Sequence, residues 1–197
     1  DTCSLCHSLK YIAYRNLTEI GLTEDQAKDV AARSLVTDGP DDTGQMFERT
    51  AILSDYFVPP YANDAEGRFV NGGALPPDLS LITKAREHGS DYVYELLTGY
   101  LPEAPAGVEM APGMSYNAAF PGGQIAMPQP LFDGMGADPA GNPASLQQAS
   151  YDIAQFLTWA AEPKLEARKR LGLGVMIFLV LLTGMFIVVK RRVWADV

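Results

Sequence analysis

The stretch Cys3-Ser4-Leu5-Cys6-His7 limits what this chain can be more than any other. Two thiols three positions apart, with an imidazole directly after the second, form C-x-x-C-H, the attachment signature of a c-type haem. The chemistry requires that spacing. The thiols add across the two vinyl groups on one side of a porphyrin, so they need a short, fixed separation. The next residue then lies beneath the ring, where its nitrogen can bind iron. A redox dithiol or half of a zinc site would use the same pair, but a structural zinc site wants four ligands. Cys3 and Cys6 are the only cysteines, and the only other histidine is His88, far along the chain. That spacing resembles neither a finger nor a ribbon. No second C-x-x-C-H occurs. One covalent haem c per chain, held by Cys3 and Cys6 and ligated by His7, is the expectation on which the rest builds.

The second constraint lies at the other end. From Leu171 to Val189 the chain runs 19 residues without a charge. As a helix this stretch is about 28 Å long, close to the roughly 30 Å hydrocarbon core of a bilayer. A helix apolar on every face is either deeply buried or lies in lipid, and the basic clusters Arg168-Lys169-Arg170 and Lys190-Arg191-Arg192 flank this one. A single membrane anchor is expected. Lys164 to Arg170 supplies four basic residues and the segment after the stretch three, a margin too small for the positive-inside rule to set an orientation. The chain begins two residues before the first cysteine, and is read as processed or truncated.

The 197 residues suffice for one domain with a real core. Before Lys164 there are 22 acidic against 8 basic residues, a formal charge of −14. Such acidity argues against nucleic-acid binding. It serves solubility, or it provides a field that steers a basic partner to the surface and raises the rate of encounter.

Local signals place the elements. Leu9–Asn16 has helical character continuing from the attachment site. Thr23-Glu24-Asp25-Gln26 is a capping box opening a short helix to about Ser34, with Ala27, Val30 and Ala31 on one face. Thr37–Thr43 reads as a polar loop. From Tyr56 to Pro143 proline and glycine break regular structure, yet interleaved aromatics argue for ordered loops wrapped on something flat and apolar. One helix interrupts them, with Ser90 as N-cap and Gly99 as stop. A second capping box, Ser145-Leu146-Gln147-Gln148, opens the clearest helix, whose apolar stripe is Leu146, Ala149, Ile153, Phe156, Leu157 and Ala160. Pro163 ends or kinks it.

Iron bound by His7 has one open face. Left open, that face binds small molecules; filled by a side chain, it passes only electrons. Methionine is the common filler and raises the potential. Of seven methionines, Met176 and Met185 lie in the anchor stretch and Met46 near the first helices. Met110, Met114, Met127 and Met135 remain. Met127 stands out because Pro128 and Pro130 stiffen the chain after it, but spacing leaves all four open.

Several segments together resemble the cytochrome c1 family: Arg68 to Ser80 (RFVNGGALPPDLS), Asp91-Tyr92-Val93, Leu97 to Tyr100 (LTGY), Asn117 to Gly122 (NAAFPG) and Ile125 to Pro130 (IAMPQP), then Phe156 to Pro163 (FLTWAAEP) and the basic cluster with one anchor. The resemblance implies a mainly α fold, a class I cytochrome c-type domain with long Pro/Gly-rich loop insertions and one C-terminal transmembrane helix. It implies Met127 as distal iron ligand, Arg68 facing a haem propionate and Pro76-Pro77 against the ring. Residues 1–163 would form an extracytoplasmic haem domain, 164–170 a basic linker, 171–189 the anchor and 190–197 a cytoplasmic-side tail. Covalent haem attachment in c-type cytochromes implies the periplasmic side of a bacterial inner membrane, or the mitochondrial intermembrane space. The implied task is a one-electron relay in the quinol–cytochrome c oxidoreductase, the cytochrome bc1 complex. Cytochrome b and the Rieske iron–sulfur protein would be its neighbours, a soluble or membrane-tethered cytochrome c its acceptor, and lipid would surround the anchor. With His7 and Met127 both bound, the subunit has no catalytic position of its own. A haem enzyme or gas sensor with an open sixth position, or a haem subunit of another membrane oxidase, are the competing classes. The family also has a sizeable stretch before C-x-x-C-H, with a helix packing on the C-terminal one, where two residues stand here.

Overall fold

A computed structural model describes residues 2–137 and 141–195. They divide into two units, Asp1–Ala161 and Glu162–Val197. The first is mainly helical, and its core has two centres.

The larger centre is built on three helices: α3 (Ile82–Ala85), α4 (Ser90–Thr98) and α5 (Leu146–Ala161). Ile82, Val93, Leu97, Leu131, Ala154 and Leu157 are buried together there, with Leu9, Leu79, Leu146, Ile153 and Phe156 packed around them. Each fully buried Leu or Ile of this kind contributes about 1.5–3 kcal/mol. The expected stripe of α5 faces this core, joined by the small residues Ser150 and Ala154. The second centre gathers Tyr14, Leu17, Ala27, Ala31 and Ala51, with Phe57 stacked on Tyr14 at 4.6 Å between ring centroids. It holds α1 (Glu24–Ala31), whose capping box forms as expected: Gln26 N donates to Thr23 Oγ1 at 3.2 Å and Thr23 N to Gln26 Oε1 at 2.8 Å.

Five local expectations change. α1 ends at Ala31, before a hairpin of β1 (Leu35–Asp38) and β2 (Phe47–Thr50) that takes Thr37 and Asp38 into a strand, while the rest of the expected loop joins the two strands. Arg49 clasps it, donating to Asp38 at 2.5 Å and to Asp55 at 2.6 and 3.0 Å. Leu9–Asn16 is not one helix: a 3-10 helix spans Tyr14–Ile20, and before it Lys10 and Tyr11 form a turn closed by Ile12 N donating to Leu9 O. Bonds to distant segments, Phe57 N to Ile12 O and Tyr14 N to Asp55 O, replace helical ones there. The loop region holds two further short helices, α2 (Asp64–Val70) and α3. Ser90 is the first residue of α4 rather than its cap, a place taken by Gly89. The Ser145 box is half a box, because Gln148 N donates to Ser145 Oγ while the Gln148 amide turns to Asp152 and Asp133 caps Leu146 N.

Gly99 does stop α4. A Cβ there would stand 2.6 Å from the Glu95 carbonyl and 3.1 Å from Asn117 Oδ1, so only glycine fits. Beyond it, β3 (Ser115–Tyr116) and β4 (Gln124–Ile125) form a small antiparallel ladder leading into Met127.

The second unit carries one long helix, α6 (Leu165–Val193), about 43 Å in length. The basic stretch expected as a linker lies within it from Leu165 onward, and Arg168 pairs with Glu162. No residue of α6 is buried, and it is the one helix among the described residues long and apolar enough to cross a membrane.

Candidate haem-binding site

The cysteine motif opens on a 3-10 turn, Cys3–Leu5, closed by Cys6 N and His7 N donating to the Cys3 carbonyl at 3.2 and 2.9 Å. Both thiols are free and partly exposed. Burial pushes the Cys3 thiol above its ordinary value, so it stays protonated at neutral pH.

His7 is oriented by a residue 70 positions away. Its Nδ1 lies 2.7 Å from the Pro77 carbonyl. A carbonyl only accepts, so Nδ1 carries the proton and Nε2 keeps its lone pair. Burial lowers the His7 pKa against the opposing pull of that carbonyl and of Asp78, which keeps the ring neutral. A neutral imidazole with its free nitrogen directed away from a carbonyl partner is suited to bind a metal.

The segment carrying Pro77 is clamped to the motif. Asp78 Oδ2 accepts from Ser8 Oγ at 2.6 Å and from Lys10 N at 3.0 Å, while its Oδ1 accepts from Ser80 N at 2.9 Å. Fully buried Ser80 accepts from Tyr11 N at 3.2 Å, and Leu79 N donates to Ser8 O at 2.9 Å. Burial works to raise the Asp78 pKa, but these donors outweigh it and hold the carboxylate below its ordinary range. Pro76, half-buried, directly precedes this clamp. α2 is tied in by Tyr61, whose hydroxyl accepts from Asn71 Nδ2 at 2.9 Å and reaches the Leu5 carbonyl at 3.5 Å. A Cβ at Gly67 would meet the side chains of Leu75 at 3.0 Å and Tyr61 at 3.2 Å, so both pack closely on the glycine.

Arg68, on α2, is exposed and donates to the Gly73 carbonyl at 3.2 Å. Met127 is half-buried at the end of the β3–β4 ladder. Its carbonyl accepts from the Tyr100 hydroxyl at 3.0 Å. Burial, with Tyr92 nearby, pushes the Tyr100 phenol up to about 12, so it remains a donor. Cys3, Cys6, His7 and the Pro76-Pro77 segment are thus joined directly, whereas Met127 is joined to the end of α4. Both groups refer to the same core, through Leu9 and Leu79 on one side and Leu131 on the other. His88 joins no cluster of metal-ligating side chains among the described residues. The roles of Asp78, Ser80 and Tyr100 escaped the reading of the residues, because each partner lies 27 to 70 positions away.

The cytochrome C1 family model matches residues 1–197. The chain belongs to the cytochrome c1 family. It is 47% identical over 197 residues to the cytochrome c1, heme protein, mitochondrial, of Schizosaccharomyces pombe, covering all of this chain and 64% of the relative. It is 42% identical over 212 residues to the cytochrome c1 of Rhodospirillum rubrum, covering all of this chain and 78% of that one. A Bradyrhizobium diazoefficiens protein named cytochrome b/c1 is 44% identical over 217 residues, again covering all of this chain but 32% of the relative. The chain therefore spans less than two thirds of the Schizosaccharomyces and Bradyrhizobium relatives.

The residues present fit a haem. Two free thiols stand three positions apart in sequence, and a neutral imidazole offers Nε2. Leu5 in the motif and Phe69 on α2 are 71% and 87% exposed, leaving apolar surface of the kind a porphyrin covers.

Proposed function

We propose that this chain carries single electrons within a quinol–cytochrome c oxidoreductase, from a Rieske iron–sulfur protein to a soluble or membrane-tethered cytochrome c. Haem c supplies a metal centre that gains and loses one electron. Cys3 and Cys6 would hold it covalently, one per chain, and His7 and Met127 would take the two axial positions. The observation that carries this reading is the pairing of His7 Nδ1 with the Pro77 carbonyl, which fixes the tautomer a metal ligand needs.

The chain's residues have three tasks in this scheme. His7 and Met127 would both serve as ligands to the iron, which would leave no site there for a substrate. Met127 favours the ferrous state through its thioether. Arg68 would hold a propionate and Pro76 would pack against the ring; a guanidinium near the metal would disfavour the more positive ferric state and so raise the potential. The acidic domain of residues 1–163 steers a basic acceptor. α6 anchors the chain in lipid, with the haem domain on the periplasmic or intermembrane-space side, and a neighbouring cytochrome b follows from the relative that joins both names.

The test is a redox cycle in the intact membrane complex. Added quinol should reduce the haem, and a basic soluble cytochrome c should reoxidise it at a rate that falls steeply as salt screens exposed charges over about 8 Å. Reoxidation by oxygen without an acceptor, or co-purification with an oxidase in place of cytochrome b, would overturn the reading.

A further inference from the structure

Between α4 and Met127 lies a closed ring of contacts that neither the motif nor the family name assigns a task. Asn117, with 0% exposure, is its buckle. Its Nδ2 donates to Leu96 O in the last turn of α4 at 2.7 Å, and its Oδ1 accepts from Ala119 N and Phe120 N at 3.0 and 3.1 Å. Its own amide donates to Gly123 O at 2.8 Å, and Ala118 N donates to Gly99 O at 2.9 Å. The turn from Asn117 to Gly123 is thereby fixed to the end of α4, and β4 carries that position forward to Met127. Tyr100 closes the ring from the other side. It bridges Asn117 in an isolated antiparallel pair, is 9% exposed, and donates its hydroxyl to the Met127 carbonyl.

A buried hydroxyl aimed at one carbonyl fixes that carbonyl in place. The backbone at Met127 then has two ties to α4, one through the Asn117 turn and one through Tyr100. Only the second acts at Met127 itself. We propose that Tyr100 is a positioning residue for Met127: it holds the backbone from which the thioether reaches the iron, and so keeps that ligand from exchanging with outside competitors. This rests on Met127 being the sixth ligand. A packing role alone would lower the unfolding temperature and leave ligand exchange unchanged.

The test uses the haem-loaded full chain in its membrane complex and imidazole as the competing ligand. Tyr100→Phe removes the hydroxyl and keeps the ring, so the core stays filled. The ferric variant should retain the methionine–iron charge-transfer band, while imidazole displaces the methionine roughly two- to tenfold faster than in the parent, the worth of one net hydrogen bond. Tyr116→Phe, on β3, serves as the control and should exchange at the parental rate. A parental exchange rate in Tyr100→Phe with the band intact overturns the proposal alone. A band that is absent from the parent, or that survives Met127→Leu, overturns the ligand assignment and this proposal with it.

Discussion

On the His7 side, three oxygens of two side chains, both of Asp78 and the one of Ser80, collect four hydrogen bonds, three of which pin residues 8–11 to residues 78–80. On the Met127 side, one phenol holds one carbonyl, and the chain beyond is stiffened by Pro128 and Pro130. The first arrangement is redundant and includes a charge-assisted network; in the second, one neutral bond acts at Met127 itself, and the Asn117 turn supports it only from a distance. Hydrogen bonds to charged groups are worth about 1.5–3 kcal/mol and neutral ones about 0.5–1.5. The two proposed ligand sites should therefore fail differently. Damage to the His7 side appears as lost stability of the domain. Damage to the Met127 side appears as a ligand that comes off while the domain stays folded.

The largest expected effect follows from the clamp. Asp78→Ala leaves Ser8 Oγ, Lys10 N and Ser80 N without their acceptor, and should cost about 2–3 kcal/mol of stability. Denaturant titration followed by far-ultraviolet dichroism measures it. A cost no larger than that of Tyr100→Phe would erase the distinction between the two sides.

A smaller effect comes from the hairpin, which belongs to neither ligand and so serves as a reference. Arg49 hydrogen-bonds Asp55 and thereby holds its carboxylate below the ordinary range, and does the same to Asp38 with help from Gly39 N. Carboxylates whose folded pKa is depressed stabilise the fold fully above the unfolded value near 4, and lose that contribution as pH falls through the folded one. Stability should thus decline below about pH 4, and Arg49→Leu should flatten part of that decline without altering imidazole exchange at the haem. A variant that changes exchange would show that the hairpin and the Met127 side are coupled.

How much of this could be read from the chain differs between the same regions. The motif of Cys3, Cys6 and His7 is legible because the covalent attachment it is expected to make needs a local spacing. Thr23 and Gln26 are legible because a capping box closes within four residues, and α6 because a bilayer demands an uninterrupted apolar run. Met127 stands out from Met110, Met114 and Met135 by its prolines, but it is preferred through the family resemblance, since the tyrosine that holds its carbonyl lies 27 positions earlier. Asp78 was hidden in the same way: its partners lie about 70 positions away. The segment before Tyr14 departs from its local helical character because Asp55, Phe57, Asp78 and Ser80 supply hydrogen bonds to this part of the chain. The β1–β2 hairpin was missed because its short strands are clasped by an arginine to two separated aspartates. Local rules read what closes locally, and this site closes mostly at long range.

The central claim is that His7 and Met127 fill both axial positions, so that the chain passes electrons and binds no substrate. The most direct measurement is carbon monoxide binding to the reduced haem of the parent and of Met127→Leu in the intact complex, read alongside the ferric charge-transfer band. The account predicts a parent that shows the band and excludes carbon monoxide, and a variant that loses the band, binds carbon monoxide and has a much lower midpoint potential. A parent that binds carbon monoxide freely, or a Met127→Leu protein with an unchanged spectrum, would contradict it.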